Sequence, residues 1–248
     1  MKVSIITVVY NGITTLTSCI ESVLAQDYES IEYIIIDGNS TDGTQELVKS
    51  YGSKIHKFIS EPDGGIYDAM NKGLKIATGE LVGILNADDF YAYGSVISDV
   101  VDKMTLTGSG GVYGDLNYVD GSENSEIKRK WISGEFKTNS FLYGWMPPHP
   151  TFFLKKEFYQ KFGNFRMDMG SAADYELMLR MIHKAKIKVS YVPKVLVNMR
   201  IGGVSNSSIL NRITANRNDR RAWKINNLTP RFYTLWFKPL RKILQFIN

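Results

Sequence analysis

The chain has 248 residues, 44% of them hydrophobic and 22% charged, with a net charge of +5 and a single cysteine. That length suits one large domain, or one domain with an appendage, and one cysteine excludes an internal disulfide framework and suits a reducing compartment. No apolar stretch approaches the roughly 20 residues a membrane-spanning helix needs.

The first residues, "MKVSIITVVY", begin like a secretory leader. Asn11-Gly12 follows directly and no small-residue cleavage site appears, so Val3 to Val9 is predicted to be a first strand. Ile13, Leu16, Ile20, Val23 and Leu24 then recur at helical spacing, with Asn11 as the expected cap. Cys19 lies on that stripe and is expected to pack in the core. "IEYIII" (Ile31 to Ile36) is the second strand. Ser40, Thr41 and Asp42 offer a helix start, with Leu47 and Val48 on its buried side. "KIHKFIS" (Lys54 to Ser60) reads as the third strand, "IYDAMNKGLKIA" (Ile66 to Ala77) as a helix and "LVGIL" (Leu81 to Leu85) as the fourth strand. Strands apolar on both faces, alternating with helices, predict a parallel sheet between helical layers.

After about residue 105 the alternation fades. "GGVYGDLNYVD" and "IKRKWI" are predicted strands, "KKEFYQKFG" (Lys155 to Gly163) and "ADYELMLRMIHKA" (Ala173 to Ala185) helices, and "IKVSYVP" and "VLVNM" two further strands. "RIGGVSNSS" (Arg200 to Ser208) is a Gly- and Ser-rich loop.

Parallel sheets bind ligands at the carboxyl ends of their strands. Those ends carry Tyr10-Asn11, Asp37 and Asn86, Asp88 and Asp89, and the loop after the third strand adds Glu61 and Asp63. One such acid could simply cap the next helix. Several on one rim repel unless a cation or a donor-rich ligand joins them. "NADD" is a hard-oxygen site suited to Mg²⁺ or Mn²⁺ completed by ligand phosphates and water, and too few His or Cys residues lie near for zinc. Asp88 would hold the ion, which would make a nucleoside diphosphate a better leaving group. Asp37, one strand away, would accept hydrogen bonds from a base or ribose.

"VSIITVVYNG", "EYIIIDGNSTDGT", "SEPDGGIYDAMNKGLKIATGE" and "LVGILNADDF", in that order over residues 3 to 92, resemble the nucleotide-binding half of the inverting family 2 glycosyltransferases of the bacterial polysaccharide-biosynthesis type. "HPTFFLKKEFYQKFGNF" and "SAADYELMLRM" resemble that family's acceptor-side half. The resemblance implies a GT-A fold: a Rossmann-like, mostly parallel sheet flanked by helices, an irregular acceptor-side half and a C-terminal amphipathic helical segment. It places residues 1–205 in the transferase domain, split at about 105, and 206–248 in a basic extension. It puts Val8, Tyr10 and Asp37 where the nucleobase and ribose are held, and Asp63 and Asn71 in the segment that closes over the nucleotide. Asn86-Ala87-Asp88 falls at the D-x-D position, with Asp88 as the metal carboxylate, and Asp174 matches the general base. Two departures stand out. Asn86 replaces the first Asp of D-x-D, which lowers the charge of the site. Gly38 stands where many relatives have a second Asp, which places more weight on Asp37.

The implied reaction moves a sugar from a nucleoside-diphosphate donor, a uridine or guanosine diphosphate sugar, to a glycan or lipid-linked glycan, with inversion and with Asp174 taking the acceptor hydroxyl's proton. From the residues alone, Asp174 or Glu176 could equally be a helix N-terminal charge. His149 is a candidate contact to acceptor or phosphate, or a structural histidine between prolines. Trp145 could stack on a sugar or sit in the core. Arg200 could fold over the diphosphate or be a solvated surface charge, and Lys72 reads as a solvated helix charge. A sugar nucleotidyltransferase needs a basic, Gly-rich loop after the first strand, and "VVYNGITT" has one Gly and no Lys or Arg. A non-catalytic polyanion binder is the third class, with affinity falling steeply in salt.

The charge is uneven. From Arg212 to Lys242 nine basic residues accompany one acid, Asp219, a net of +8 that leaves −3 for the rest. Tyr233, Trp236, Phe237, Leu240, Leu244 and Ile247 fall on one helical face and Arg231, Lys238, Arg241 and Lys242 opposite, interrupted by Pro239. Such a segment suits an anionic membrane surface. The expected location is cytoplasmic, peripheral on the inner face of the membrane, with no nucleic-acid partner. Packing of the tail onto the body or a second subunit is the alternative.

Overall fold

The computed structural model describes residues 1–121, 126–202 and 209–237, with side chains described outside 209–215. The elements run β1 (Val3–Val9), α1 (Ile13–Leu24), β2 (Ile31–Asp37), α2 (Thr44–Ser50), β3 (Lys57–Ser60), α3 (Ile66–Ile76), β4 (Leu81–Asn86), β5 (Asp89–Tyr91) and α4 (Val96–Thr107). They continue with β6 (Gly111–Val119), β7 (Ile127–Trp131), β8 (Phe153–Lys155), α5 (Lys156–Phe162), α6 (Ala173–Met178), β9 (Val189–Arg200) and α7 (Ile209–Ile225). One sheet holds the strands in the order β3-β2-β1-β4-β8-β6-β9-β5, with β7 paired to β6. β1, β2, β3 and β4 pair in parallel, and β8 enters antiparallel. β6 is antiparallel to β8 and parallel to β9, so both run with β1.

β1 explains why the sheet has two cores. Its β-branched residues alternate, with Ile6 and Val8 facing α3, α5 and α6, and Ile5 and Val9 facing α1 and α4. Leu16, Cys19, Ile20 and Val23 form the buried stripe of α1, as the spacing predicts. The parallel register aligns the strand ends, with Val9 opposite Asp37 and Val8 opposite Asn86. The expected acids therefore do meet on one rim.

Several boundaries differ from expectation. Gly12, not Asn11, caps α1, and Asn11 takes a left-handed φ of 49°. α2 starts at Thr44, after Ser40, Thr41 and Asp42 have served the loop. The third strand is only four residues, because Gly52–Lys54 forms a 3₁₀ turn. The predicted pair of strands around Pro193 is one strand, β9. Its register to β6 shifts between Tyr191 and Val195, so the proline lies where the ladder skips and its missing N–H costs nothing. The predicted helix from Ala173 is α-helical to Met178 and then widens to a π-helix over Leu179–Lys184. The helix α4 and the short β5 are additions. α7 is joined to the body by Trp223, whose indole donates to the Tyr175 hydroxyl at 2.8 Å.

Candidate active site

The small polar residues after Asp37 lace two strand-end loops together. Asp42 accepts from the Ile13 and Thr44 amides at 3.0 and 3.1 Å, the Asn11 amide donates to Ser40 Oγ at 2.7 Å, and Asn11 Oδ1 accepts from the Thr41 amide at 2.9 Å. Asp37 itself is fully buried. Its carboxylate accepts from the Ser40 amide and hydroxyl and from Ser60 Oγ, so it organises the rim from beneath. Above it the ring of Tyr10 is 68% exposed. Asp63 reaches in from the loop before α3: a Cβ on Gly38 would lie 2.7 Å from Asp63 Oδ2 and 3.2 Å from Tyr10 Cδ2. Val8 is a core residue under this surface. Asn71 spends both ends of its amide on the Phe165 backbone, at 2.9 and 3.0 Å, clamping α3 to the segment before α6. Lys72 pairs with Glu61 at 2.9 Å and donates to the Pro62 carbonyl.

At the end of β4 the two adjacent acids divide. Asp89 is buried and accepts from Asn86 Nδ2 at 3.2 Å, and burial, then the neighbouring Asp88 charge, pushes its pKa well up. The Asp88 carboxylate makes no hydrogen bond or ion pair among the described residues. Arg200 donates to the Asp88 carbonyl and to Ser18 Oγ, both at 2.9 Å, and lies over the Phe90 ring, so it ties the end of β9 to this turn. No group of three or more His, Cys, Asp or Glu residues is arranged as a metal cage among the described residues. One free carboxylate nevertheless fits a Mg²⁺ or Mn²⁺ ion that takes most of its ligands from phosphates and water.

α6 brings a segment from the later part of the chain to the same rim. Glu176 is buried in a bidentate pair with Arg180, at 2.8 and 2.9 Å, and accepts from Asn226, just past the end of α7, which makes it structural. Asp174 stays at the cleft edge, with Oδ1 accepting from the Tyr175 amide at 2.7 Å and Oδ2 lying 3.3 Å from His149 Nδ1. His149 Nε2 lies 3.4 Å from Asn86 Nδ2. Burial holds the His149 imidazole below its usual pKa, against the pull of Asp174 and Asp88. Tyr67 on α3, which the sequence reading missed, lies against Asp174; burial first and that charge second raise its pKa. Trp145 is not in the cleft: it is buried among Tyr113, Phe136 and Phe141 and donates to the Ser133 carbonyl at 2.8 Å.

The family model for glycosyl transferase family 2 matches residues 4–186. The chain belongs to glycosyl transferase family 2. It is 34% identical over 181 residues to an uncharacterized glycosyltransferase of Mycobacterium tuberculosis, covering 72% of this chain and 68% of that one. It is 26% identical over 211 residues to a PGL/p-HBAD biosynthesis glycosyltransferase of Mycobacterium bovis, covering 83% and 80%. The fold matches the crystal structure of S. aureus TarS 1–349 in complex with UDP-GlcNAc, with a TM-score of 0.71 at 18% identity over 100% of this chain and 72% of that one. It also matches a mannosyltransferase from Pyrobaculum calidifontis in complex with GDP-Man and Mn²⁺, with a TM-score of 0.66 at 18% identity over 96% and 67%. The transferase is therefore an enzyme with a GT-A-type fold, and the nucleotidyltransferase and non-catalytic alternatives give way to the family.

Proposed function

We propose that this transferase moves a sugar, with inversion, from a nucleoside-diphosphate donor to a hydroxyl of a glycan or lipid-linked glycan. The observation that carries this is the meeting of two distant segments: the end of β4, with the free Asp88 carboxylate and Asn86, and the start of α6, with Asp174, where His149 lies between Asn86 and Asp174. UDP-GlcNAc and GDP-Man in the solved neighbours support a uridine or guanosine diphosphate donor.

In this reading Tyr10 offers its exposed ring to the base, Asp63 stands beside it, and Asp37 keeps their loop in shape. Asp88 and Asn86 face the diphosphate, and the unused N–H groups of Arg200 can add a charged donor. What a Mn²⁺ or Mg²⁺ ion on Asp88 supplies is neutralisation of the charge that develops on the leaving diphosphate. Asp174 takes the proton of the acceptor hydroxyl as it attacks the anomeric carbon from the opposite face. Residues 1–205 form the transferase unit and 206–248 its extension. The exposed Phe232 and Trp236, beside Arg231, support peripheral contact with an anionic membrane on the cytoplasmic side. Leu240, Leu244 and Ile247, and Lys238, Arg241 and Lys242, lie outside the described residues, as do residues 203–208 of the Gly- and Ser-rich loop.

Thermal unfolding with a panel of UDP- and GDP-sugars, with and without Mn²⁺, tests the assignment. Asp88→Ala is expected to abolish the metal-dependent shift. Asp174→Ala is expected to keep the shift and lose turnover, and full turnover in that variant removes the base assignment.

A further inference from the structure

Both ring nitrogens of His149 meet a polar side chain, and the two partners make opposite demands. Asn86 Nδ2 is a donor only, so Nε2 must accept; the Asp174 carboxylate is an acceptor, so Nδ1 must carry the hydrogen. The Asn86 amide is itself oriented by Asp89, which accepts from the same Nδ2 at 3.2 Å. One form of the ring satisfies both sides, the neutral Nδ1–H tautomer. An imidazolium would point Nε2–H at an N–H₂ group. The depressed imidazole pKa agrees with a neutral ring.

We propose that His149 is a positioning residue: a neutral Nδ1–H imidazole, oriented by Asn86, that holds the Asp174 carboxylate in place for the acceptor hydroxyl. This rests on Asp174 being the base. With Oδ1 on the Tyr175 amide and Oδ2 on His149, the carboxylate cannot turn about its Cβ–Cγ bond without losing a partner. Its side chain keeps 17% of its surface for an incoming group. The same chain of bonds gives a reason for an amide at 86, where the family motif has a carboxylate. A carboxylate there would accept from Nε2–H, favour the imidazolium and set a full positive charge against Asp174, lowering the basicity its task requires.

Long-range ¹H–¹⁵N spectra read the tautomer directly, and with three histidines in the chain the signal is assigned by its loss in His149→Asn. The Nδ1–H form is expected at neutral pH, and Asn86→Ala should let it drift toward Nε2–H. A ring that is Nε2–H or doubly protonated in the unaltered protein, or a tautomer unmoved by Asn86→Ala, overturns the proposal. Turnover is followed as UDP released from UDP-GlcNAc or GDP from GDP-mannose, with unfolding temperatures confirming that each variant folds. His149→Ala should lower kcat about 10- to 100-fold, with donor KM changed by less than about twofold. His149→Asn, whose amide can still donate toward Asp174, should recover part of that loss. An undiminished kcat, a loss confined to KM, or no recovery with Asn overturns it. Failure of the base assignment looks different, as full turnover in Asp174→Ala whatever the His149 variants do. Where neither donor turns over, the spectra decide.

Discussion

Asp37 and Asp63 began as equivalent acids on one rim, and packing separates them. Asp37 spends its carboxylate on Ser40 and Ser60, while Asp63 Oδ2 is left over Gly38, beside the Tyr10 ring. Gly38 does not have a left-handed φ, so its lack of a side chain matters as space. Asp63 fills the volume that an acid at 38 would otherwise take. Asp63→Ala is expected to weaken UDP or GDP binding in the presence of Mn²⁺ by about tenfold, measured by titration calorimetry, the loss of one hydrogen bond to a charged acceptor. Asp63→Gly combined with Gly38→Asp should regain most of it, because a carboxylate returns to the same place. A double variant as weak as Asp63→Ala would show that the volume over Gly38 is not where the nucleotide is read. The acid rim was legible from residue type and strand spacing. Which acid keeps an oxygen free was not, because the Ser60 hydroxyl that bonds Asp37 and the loop that delivers Asp63 come from other segments.

Elements are joined away from the site by another buried acid. Glu32 of β2 lies opposite Ser4 of β1 and accepts from Ser4 Oγ at 2.6 Å and from the Thr78 amide and hydroxyl at 2.7 Å, with Lys57 at 3.0 Å and Lys2 at 3.3 Å. Burial alone would raise its pKa, but the bonds from Ser4, Thr78 and Lys57 outweigh burial and hold it below the ordinary carboxylate range. A depressed folded-state pKa means that the unfolded chain binds the proton more readily. The stabilisation is thus present above the unfolded value of about 4.3 and is lost as pH falls below it. Thermal unfolding should show stability falling progressively as pH drops below about 5, and Glu32→Gln should flatten that slope and cost about 1–3 kcal/mol near neutrality. A variant with an unchanged slope would remove Glu32 from the account. Nearly all the elements before residue 92 follow from apolar runs and helical stripes. α4 carries Val96, Ile97, Val100, Val101 and Met104 at helical spacing and was detectable by the same test. The union of two predicted strands across Pro193 was not, since only the skipped register to β6 makes room for the proline.

For the whole molecule, the C-terminal segment both closes the core and presents an aromatic surface. Leu235 is buried and Tyr233 stacks on Tyr143, while Phe232 and Trp236 are 90% and 72% exposed. The full chain is expected to co-sediment with vesicles containing phosphatidylglycerol, less so at high salt, and Trp236→Ala should weaken binding by roughly tenfold, the value of one large apolar side chain. Equal binding to neutral vesicles would take the basic tail out of the interaction, and no binding would take the membrane out altogether.

The order of strands and helices, the rim that gathers the acids and the family motifs are properties of short stretches, so the amino-acid sequence determined them by itself. Neighbouring residues set β-branched runs, helical stripes and polar strand ends, and a parallel sheet places those ends together whatever lies further along the chain. The tertiary structure decided the allocation of partners: Glu176 to Asn226 and Asp174 to His149, Trp145 to the core, Asn71 to a backbone clamp. A side chain's role depends on which donors and acceptors reach it, and here they come from segments brought together only when the sheet closes.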